Sequence, residues 1–269
     1  MEQIRERLDI LLVEKGFFNS RERARENILK GNIFVDGEVV KKCGRKIPCT
    51  CNLEFKGEPL KYVSRGGLKL EKALESFSIS LKDKVCSDIG ASTGGFTHCM
   101  LLNGATKVFA LDVGKNQLHE TLRKNHKVVS YEETNVKELH EEFFGEMIDF
   151  ISIDVSFISL TKVLPYTLKV LRESGEIVAL IKPQFEAGKK FLNKKGVVKD
   201  KKVHEDVIFK VWEFCSSLDL KIADFEYSPV KGPNGNIEYL IYLIKNKEEE
   251  TMISPDQLLN KVEEAFNRL

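Results

Sequence analysis

The sequence predicts an α/β protein, with a Rossmann-like, mostly parallel seven-stranded sheet preceded by a small α+β domain. Two observations support this prediction. From about residue 61 onward, short apolar runs alternate with helical patterns, as they do in βαβ units. Within that part, the segment DIGASTGGF at 88–96 has the order strand, glycine-rich turn, helix. The first sixty residues lack the alternation and are expected to fold as a separate unit.

The elements of the larger part follow from its apolar periodicity. The predicted strands are 84–89, 107–113, 127–131, 148–154, 175–182, 220–228 and 238–245. The predicted helices lie near 66–78, 94–103, 116–124, 158–171 and 201–218, with a terminal amphipathic helix over 254–269. We therefore expect a first domain over 1–59, a linker over 60–64 and a second domain over 65–269.

The amino-terminal unit begins with two predicted helices. Leucines recur at helical spacing within 5–14. Ser20 is a favourable N-cap for a second helix, and Gly31 is a favourable stop. The apolar runs 33–35 and 39–40 flank an Asp-Gly turn, which predicts a hairpin.

The glycine-rich turn predicts a site for a nucleoside cofactor. Its glycines let the backbone approach a ligand more closely than a residue with a Cβ would allow. The next strand ends in Asp112, a carboxylate suited to two ribose hydroxyls. A dinucleotide site usually has the pattern GxGxxG, whereas this turn has GxxxGG after Asp88, which favours S-adenosyl-L-methionine over a pyrophosphate. The predicted cofactor-binding residues are Asp88, Gly90, Ala91, Ser92, Gly94, Gly95, Phe96, Asp112, Asn135 and Asp154.

Composition argues against several classes of protein. The chain is 42% hydrophobic and 31% charged, as in globular domains, and no apolar run approaches the ~20 residues of a membrane span. The charged start MEQIRERLDI does not fit a secretion signal, so a cytoplasmic location is expected. Six cysteines fit a reduced compartment. The group at 43, 49 and 51 lacks CxxC spacing and a fourth ligand, so no metal is expected.

Four charged residues border predicted strands or helices at the edge that carries the glycine turn. Asp154 and Lys182 each end a strand, Glu238 opens the last strand, and Lys69 lies in the first turn of a helix. Any one of them fits an ordinary sheet rim, but the four together favour a catalytic site. A lysine tuned by neighbouring acids can accept a proton from a hydroxyl or, as an ammonium, stabilise the alkoxide. The residues alone therefore predict methyl transfer to a hydroxyl, with RNA as the favoured substrate.

Basic residues at three places predict contacts with RNA, although each patch also fits a solvated charged surface. Arg21 and Arg25 share one face of the second helix, and 41–46 holds four basic residues and no acid. The lysine-rich loop 183–200 is predicted to be an RNA-facing lid. The net charge is only +1, so any attraction to RNA would be local. The predicted RNA-binding residues are Arg5, Arg7, Arg21, Arg25, Lys41, Lys42, Arg65, Lys189 and Lys190.

These motifs resemble a known family. The segment RLDILLVEKGFFNSRERARENILKGNIFVDGEVV resembles the small S-four RNA-binding domain. The whole chain resembles the TlyA, or haemolysin A, family of ribosomal RNA methyltransferases, in which an FtsJ-like catalytic domain follows an S-four domain. The motifs that carry this resemblance are YVSRGGLKL at 62–70, DIGASTGGF, ALDVG at 110–114, SIDVSFISL at 152–160, ALIKPQFE at 179–186 and GPNGNIEYL at 232–240.

The resemblance implies an activity and a set of residue roles. The implied reaction is S-adenosylmethionine-dependent 2′-O-methylation of cytidine in ribosomal RNA, on the large subunit and in some members also on the small one. Lys69, Asp154, Lys182 and Glu238 would form the catalytic tetrad, with Lys182 at the 2′-hydroxyl, both acids holding it, and Lys69 adding positive charge. The expected partners are ribosomal RNA and ribosomal subunits, with no membrane and no metal. A non-catalytic RNA-binding factor and a nicotinamide-dependent oxidoreductase remain as alternatives.

Overall fold

The computed structural model describes residues 4–18, 20–57, 61–218, 220–245 and 253–269. The chain separates into two compact units, 1–59 and 60–269. Residues 58–60, which include the start of the predicted linker, lie outside the described residues.

The amino-terminal unit packs short strands around a helical pair. Its elements are β1 Arg5–Arg7, α1 Leu8–Glu14, α2 Arg21–Lys30, β2 Ile33–Val35, β3 Glu38–Val39, β4 Lys46–Pro48 and β5 Leu53–Phe55. β2 pairs antiparallel with both β3 and β5, and β1 pairs antiparallel with β4. Leucines of α1 and apolar residues of α2 and the strands form one core.

The second helix is confirmed and the first is shorter than predicted. The Ser20 hydroxyl accepts a hydrogen bond from the backbone N–H of Arg23, and Gly31 ends α2 at a φ of 79°. The predicted helix over 5–14 begins only at Leu8, because the three preceding residues pair with β4 as a strand. That pairing partner lies some forty residues away, so local periodicity could not indicate it.

The larger unit carries the predicted alternation of strands and helices. Its elements are α3 Gly66–Ser76, β6 Val85–Ile89, α4 Gly95–Leu102, β7 Lys107–Leu111, α5 Glu120–Arg123, β8 Val128–Tyr131, β9 Ile148–Ile153, α6 Leu164–Val170, β10 Leu171–Ile181, α7 Pro183–Glu186, α8 Lys201–Ser217, β11 Leu220–Tyr227, β12 Tyr239–Lys245 and α9 Pro255–Arg268. The strand predictions are confirmed with small boundary shifts. The largest difference is at β10, which begins four residues before its predicted start at 175.

The described residues of this unit form a seven-stranded sheet in the order β11-β12-β10-β9-β6-β7-β8. The contacts among β10, β9, β6, β7 and β8 are parallel, and β12 runs antiparallel to both of its neighbours. From β6 the chain moves outward to β7 and β8, then returns to place β9 on the other side of β6. Ligands of such sheets bind at this switch point, beyond the carboxyl ends of the strands.

Alternating side chains bury the two faces of the sheet in separate cores. In β10, Val178 and Leu180 face the core that α3 and α4 complete. Ile177, Ala179 and Ile181 face the opposite core, which α6, α8 and α9 cover. Successive side chains of a strand point to opposite faces of the sheet, and here both faces are buried. The strands therefore have nearly continuous apolar sequences.

The helices of the described ranges are either too short or too polar to cross a lipid bilayer.

Candidate active site

The glycine turn lies between the carboxyl ends of β6 and β9. Gly90 follows β6 with a φ of 86°, and a Cβ there would lie 2.6 Å from the backbone oxygen of Asp154. The backbone N–H of Asp154 in turn donates to the carbonyl of Ile89. This position therefore requires glycine both for its backbone conformation and for the close approach of the two strand ends.

Two cavities, each of about 350 Å³, meet at this point and share Gly90, Ser92, Asp154 and Ser156. We name the first the Asp112 cavity, since Asp112 and Asn135 line it together with Leu111, Val136, Val155 and Ile158. We name the second the tetrad cavity, since Lys69, Asp154 and Lys182 line it together with Asp88, Ala91, Gly95, Phe96 and the segment 230–233. The predicted cofactor residues thus line two connected cavities of the same unit, with one exception.

The exception is Gly94, which lines neither of the two cavities. Its φ is 89°, and a Cβ there would lie 2.4 Å from the Leu122 side chain. Gly94 therefore allows the turn to pack against α5.

Backbone hydrogen bonds fix the Asp112 carboxylate at the wall of its cavity. Oδ2 accepts from the backbone N–H of Ser92 at 2.8 Å, and Oδ1 accepts from Gly114 at 2.7 Å. Asn135 caps a short 3₁₀ turn, and its side-chain oxygen accepts from the backbone N–H of Lys137. Both side chains therefore have a structural role in addition to any contact with a ligand.

Asp88 is fully buried beneath the glycine turn. One carboxylate oxygen accepts from the backbone N–H and the hydroxyl of Thr97, and the other accepts from the Ser152 hydroxyl at 3.1 Å. Burial raises the pKa of Asp88 to about 7, although the hydrogen bonds from Thr97 and Ser152 oppose the shift. The residue connects β6, α4 and β9 at the base of the site.

The four charged residues predicted from the sequence form one connected cluster. Asp154 Oδ1 lies 2.5 Å from Lys182 Nζ, and Asp154 Oδ2 lies 3.9 Å from Lys69 Nζ. Lys69 Nζ also donates to Glu238 Oε2 at 2.6 Å. The topology explains the convergence: β12 is antiparallel to β10, so the residue that opens β12 lies at the same edge as the residue that ends β10.

One expectation about the cluster is wrong. The resemblance implied that Asp154 and Glu238 both hold Lys182. In the structure, Glu238 instead accepts hydrogen bonds from Lys69 and Gln184. Lys182 contacts Asp154 and donates to the Ser156 hydroxyl at 3.3 Å. The cluster is therefore a chain, from Lys182 through Asp154 and Lys69 to Glu238.

The electrostatics of the cluster favour charged side chains. Burial alone would raise the pKa of Asp154, but Lys69 and Lys182 outweigh it and the pKa is lowered. Burial alone would lower the pKa of Lys69, but Asp154 and Glu238 outweigh it and the pKa is raised. The cluster thus keeps an ionised carboxylate between two lysines at the wall of a cavity.

Sequence reasoning missed several residues that support the cluster. Gln184 donates to Glu238 Oε1 at 2.9 Å, and a Cβ on Gly232 would lie 2.1 Å from the same oxygen. Glu186 accepts from the Ser159 hydroxyl and from the backbone N–H of Leu160, which ties α7 to the loop after β9. All of these residues lie inside motifs quoted above, within six residues of a charged residue of the cluster, and this closeness in sequence was the available signal.

Two of the predicted RNA-binding arginines are engaged inside the amino-terminal unit. Arg7 donates to both oxygens of buried Asp9, at 2.9 and 3.0 Å, and Arg21 donates to Asp9 Oδ2 at 3.1 Å. The side chain of Asp9 is 0% exposed, while those of Arg7 and Arg21 are 41% and 55% exposed. Both arginines therefore have a structural partner, which the sequence prediction did not include.

The other predicted RNA-binding residues of that unit are exposed. Arg5, Arg25, Lys41 and Lys42 all lie at the surface. Arg25 shares a shallow groove with Arg21, Glu22, Glu26 and Leu29, so this face of α2 has mixed charge.

The last three predicted RNA-binding residues belong to the larger unit. Arg65 lines the tetrad cavity, while Lys189 and Lys190 are exposed in a 3₁₀ turn.

The loop 183–200, predicted as a lid, is held by hydrogen bonds to the segment before β12. The side-chain amides of Asn234 and Asn236 donate to the carbonyls of Lys195 and Gly196. Within the described ranges, no group of three or more His, Cys, Asp or Glu side chains is placed to hold a metal ion.

Residues 62–245 match the FtsJ-like methyltransferase family, and residues 6–47 match the S4 domain. The chain belongs to the FtsJ-like methyltransferase family. The predicted α/β fold and the predicted family resemblance are thereby confirmed. The match covers the glycine turn, Asp112 and all four residues of the charged cluster.

Relatives of this FtsJ-like methyltransferase share both units. The Bacillus subtilis protein YqxC, named as a candidate rRNA methyltransferase, is 44% identical over 98% of this chain and 95% of its own length. The Mycobacterium tuberculosis 16S/23S rRNA (cytidine-2'-O)-methyltransferase TlyA is 39% identical over 89% of this chain and 90% of its own. A solved structure from Streptococcus thermophilus that carries the name hemolysin is 42% identical, with a TM-score of 0.80 over 99% of this chain and 97% of that one.

Proposed function

We propose that this protein transfers a methyl group from S-adenosyl-L-methionine to the 2′-oxygen of a cytidine in ribosomal RNA. The large subunit is the expected substrate, and the small subunit is a second one to test. The observation that carries the proposal is the connected cluster of two lysines and two acids at the wall between two cavities. The relatives with rRNA methyltransferase names support the choice of substrate.

The two connected cavities fit the two parts of the cofactor. The Asp112 carboxylate is fixed where it can accept from ribose hydroxyls, and the apolar residues around it suit a flat base. The glycine turn leaves room for the amino-acid part beside Asp88. When bound there, S-adenosylmethionine supplies an electrophilic methyl group on a positively charged sulfur.

The charged cluster is suited to activating a ribose hydroxyl. The 2′-oxygen gives up its proton to solvent water as it accepts the methyl group, and an ammonium directed at that oxygen stabilises the negative charge that develops. We assign this role to Lys182, oriented by Asp154 and by the Ser156 hydroxyl. Lys69 neutralises Asp154 and Glu238 from the other side, so the four charges of the cluster balance one another.

An exposed aromatic residue beside the site is suited to holding the target base. Phe157 is 91% exposed and has a φ of 64°, an unusual conformation for a bulky side chain. It lines the Asp112 cavity, and its ring lies 5.0 Å from that of Phe185. RNA-binding proteins hold unstacked bases on aromatic rings, so we assign a stacking role to Phe157.

We assign RNA capture to residues 1–59 and methyl transfer to residues 65–269, joined by the linker 60–64. The S4 match supports the first assignment, and Arg25, Lys41 and Lys42 offer exposed positive charge for phosphates. An enzyme acting on ribosomal RNA works where ribosomes are assembled, so we propose a cytoplasmic location.

The test is transfer of labelled methyl groups to ribosomal RNA by the purified protein. We expect label in a nucleotide that resists alkaline cleavage, because a methylated 2′-oxygen cannot attack the neighbouring phosphate. Label on a base would overturn the assignment to ribose.

Calorimetry with S-adenosylmethionine and with a nicotinamide dinucleotide tests the cofactor. We expect binding of the first only. Preference for the dinucleotide would favour an oxidoreductase, and RNA binding without affinity for either would favour a non-catalytic factor.

A further inference from the structure

A third cavity of the larger unit has a strongly basic lining. Its volume is about 680 Å³, and its lining includes Lys194, Lys195, Lys199 and Lys231. We name it the Lys195 cavity. The remaining lining residues are Asn193, Val197, Val198, Asn234, Gly235, Ile237 and Phe266.

The lining of this cavity carries positive charge without a paired acid. Among the described residues, no acidic side chain lines it, and none of the four lysines has an ion pair. The lysines that follow in α8 behave differently: Lys201 pairs with Glu263 and Lys202 pairs with Glu205. Four exposed, unneutralised ammonium groups around one concave surface indicate an anionic ligand.

The walls of the Lys195 cavity are held in place before any ligand binds. Asn193 Oδ1 accepts from the backbone N–H groups of Lys195 and Val197, at 2.8 and 3.1 Å. The Asn234 side chain donates to the carbonyl of Lys195 at 2.9 Å, so the lysine loop is fastened to the segment before β12. A preordered site loses less conformational entropy on binding than a mobile chain would.

The Lys195 cavity adjoins the proposed active site at one residue. Lys231 lines both the Lys195 cavity and the tetrad cavity. Its neighbour Gly232 packs against the Glu238 carboxylate. A strand whose target ribose lies at Lys182 can therefore extend past Lys231 into the Lys195 cavity.

We propose that the Lys195 cavity binds backbone phosphates of the RNA strand next to the target nucleotide. The proposal rests on the proposed function and deepens it by assigning the path of the substrate. Lysine is a point charge that recognises phosphate without reading a base edge, so the contact would position the strand and leave sequence choice to other residues.

The test compares two double variants that remove the same charge. K195Q/K199Q changes two lysines of the cavity. K82Q/K127Q changes two exposed lysines that precede β6 and β8, at the opposite edge of the sheet. The measurements are the affinity for a ribosomal RNA fragment over a range of salt concentrations, and the kinetics of methyl transfer to that fragment.

Each lost phosphate contact should reduce the slope of log affinity against log salt by about 0.7 for a single strand. We therefore expect K195Q/K199Q to reduce the magnitude of the slope by about 1.4 and to raise KM several-fold with kcat unchanged. The control K82Q/K127Q should leave the slope and KM at wild-type values. Equal effects of the two variants, or no effect of the first, would overturn the proposal.

Two further results separate the possible failures. If wild-type protein binds RNA with the expected difference between variants but transfers no methyl group, the proposed function fails and the phosphate site stands. If inorganic phosphate binds wild-type protein but not K195Q/K199Q and competes fully with RNA at low millimolar concentration, the cavity is a small-anion site and the RNA assignment is overturned.

Discussion

Each unit of the molecule holds an aspartate between two cationic side chains, and the two arrangements differ in whether the cations keep hydrogen-bond donors available for a ligand. In the amino-terminal unit, Asp9 accepts three hydrogen bonds from Arg7 and Arg21, whose side chains are about half exposed. In the larger unit, Asp154 lies between Lys69 and Lys182, which are only about one-tenth exposed and line a cavity.

The difference follows from the chemistry of the two cations. A guanidinium is planar and can donate to both oxygens of one carboxylate. Both oxygens of Asp9 therefore have hydrogen-bond donors within the amino-terminal unit. An ammonium is a compact charge with three donors, and Lys182 retains donor capacity after contacting Asp154 and Ser156. We infer that the first cluster serves mainly stability and the second serves chemistry.

The largest effect is expected at Asp154. Asp154→Asn replaces the charge that orients Lys182 and neutralises Lys69 with a neutral amide. We expect the rate of methyl transfer at saturating substrate to fall by about 100-fold or more, as for loss of other preorganised electrostatic groups. Single-turnover kinetics measure this, with Asp149→Asn, at the opposite end of β9, as a matched control. A rate within a few-fold of wild type would contradict the proposed role.

The next effect is expected at Asp9. Asp9→Asn removes the charge that both arginines contact, and it should destabilise α1 and α2 by about 2 kcal/mol, since one buried partner is lost while the arginines can rehydrate. Amide hydrogen exchange in these helices measures this. The pKa of Asp9 is lowered by its hydrogen bonds with Arg7 and Arg21, so its stabilising contribution is present above the unfolded pKa and is lost as pH falls. Unchanged exchange rates would contradict the structural role.

A pH effect of the opposite sign is expected at Asp88. Its folded pKa of about 7 is raised by burial, so its contribution to stability is present below the unfolded pKa and is lost as pH rises towards 7. The stability of Asp88→Asn relative to wild type should therefore increase by at least about 1 kcal/mol between pH 5 and pH 8. Urea unfolding at the two pH values measures this, and a difference independent of pH would contradict it.

The smallest effect separates RNA binding from stability on α2. Arg25→Ala removes an exposed charge and should weaken RNA binding by about three- to tenfold without changing the unfolding of the unit. Arg21→Ala should change both, because Arg21 also neutralises Asp9. Filter binding and thermal melting of the two variants, side by side, test whether the two roles are separable. Loss of stability in Arg25→Ala would contradict the distinction.

The sequence predicted well what depends on local pattern. The strands of the large sheet, the α2 caps and the glycine turn follow from alternation, capping chemistry and glycine spacing, and all were found. The convergence of Lys69, Asp154 and Lys182 at one sheet edge also follows once parallel strands are assumed. Glu238 reaches the same edge only because β12 runs antiparallel to β10, which the sequence pattern does not indicate.

What the sequence could not give depends on side-chain partners. The positions of the charged residues in the sequence do not indicate that Glu238 contacts Lys69 rather than Lys182. The partner of Glu238 depends on how β12 and α3 pack against each other. The engagement of Arg7 and Arg21 by Asp9 was missed for the same reason, since it requires the tertiary burial of Asp9. The fold is thus encoded mainly in periodicity, and the site chemistry in contacts between distant segments.

Lys182 is assigned to the 2′-hydroxyl, and the Lys182→Met protein tests this assignment most directly. Methionine keeps most of the length of the side chain and removes the ammonium. We predict a fall in single-turnover methyl transfer of about 100-fold or more, with S-adenosylmethionine affinity and melting temperature close to those of wild type. Methyl transfer by Lys182→Met at the wild-type rate would contradict a role of Lys182 at the 2′-hydroxyl.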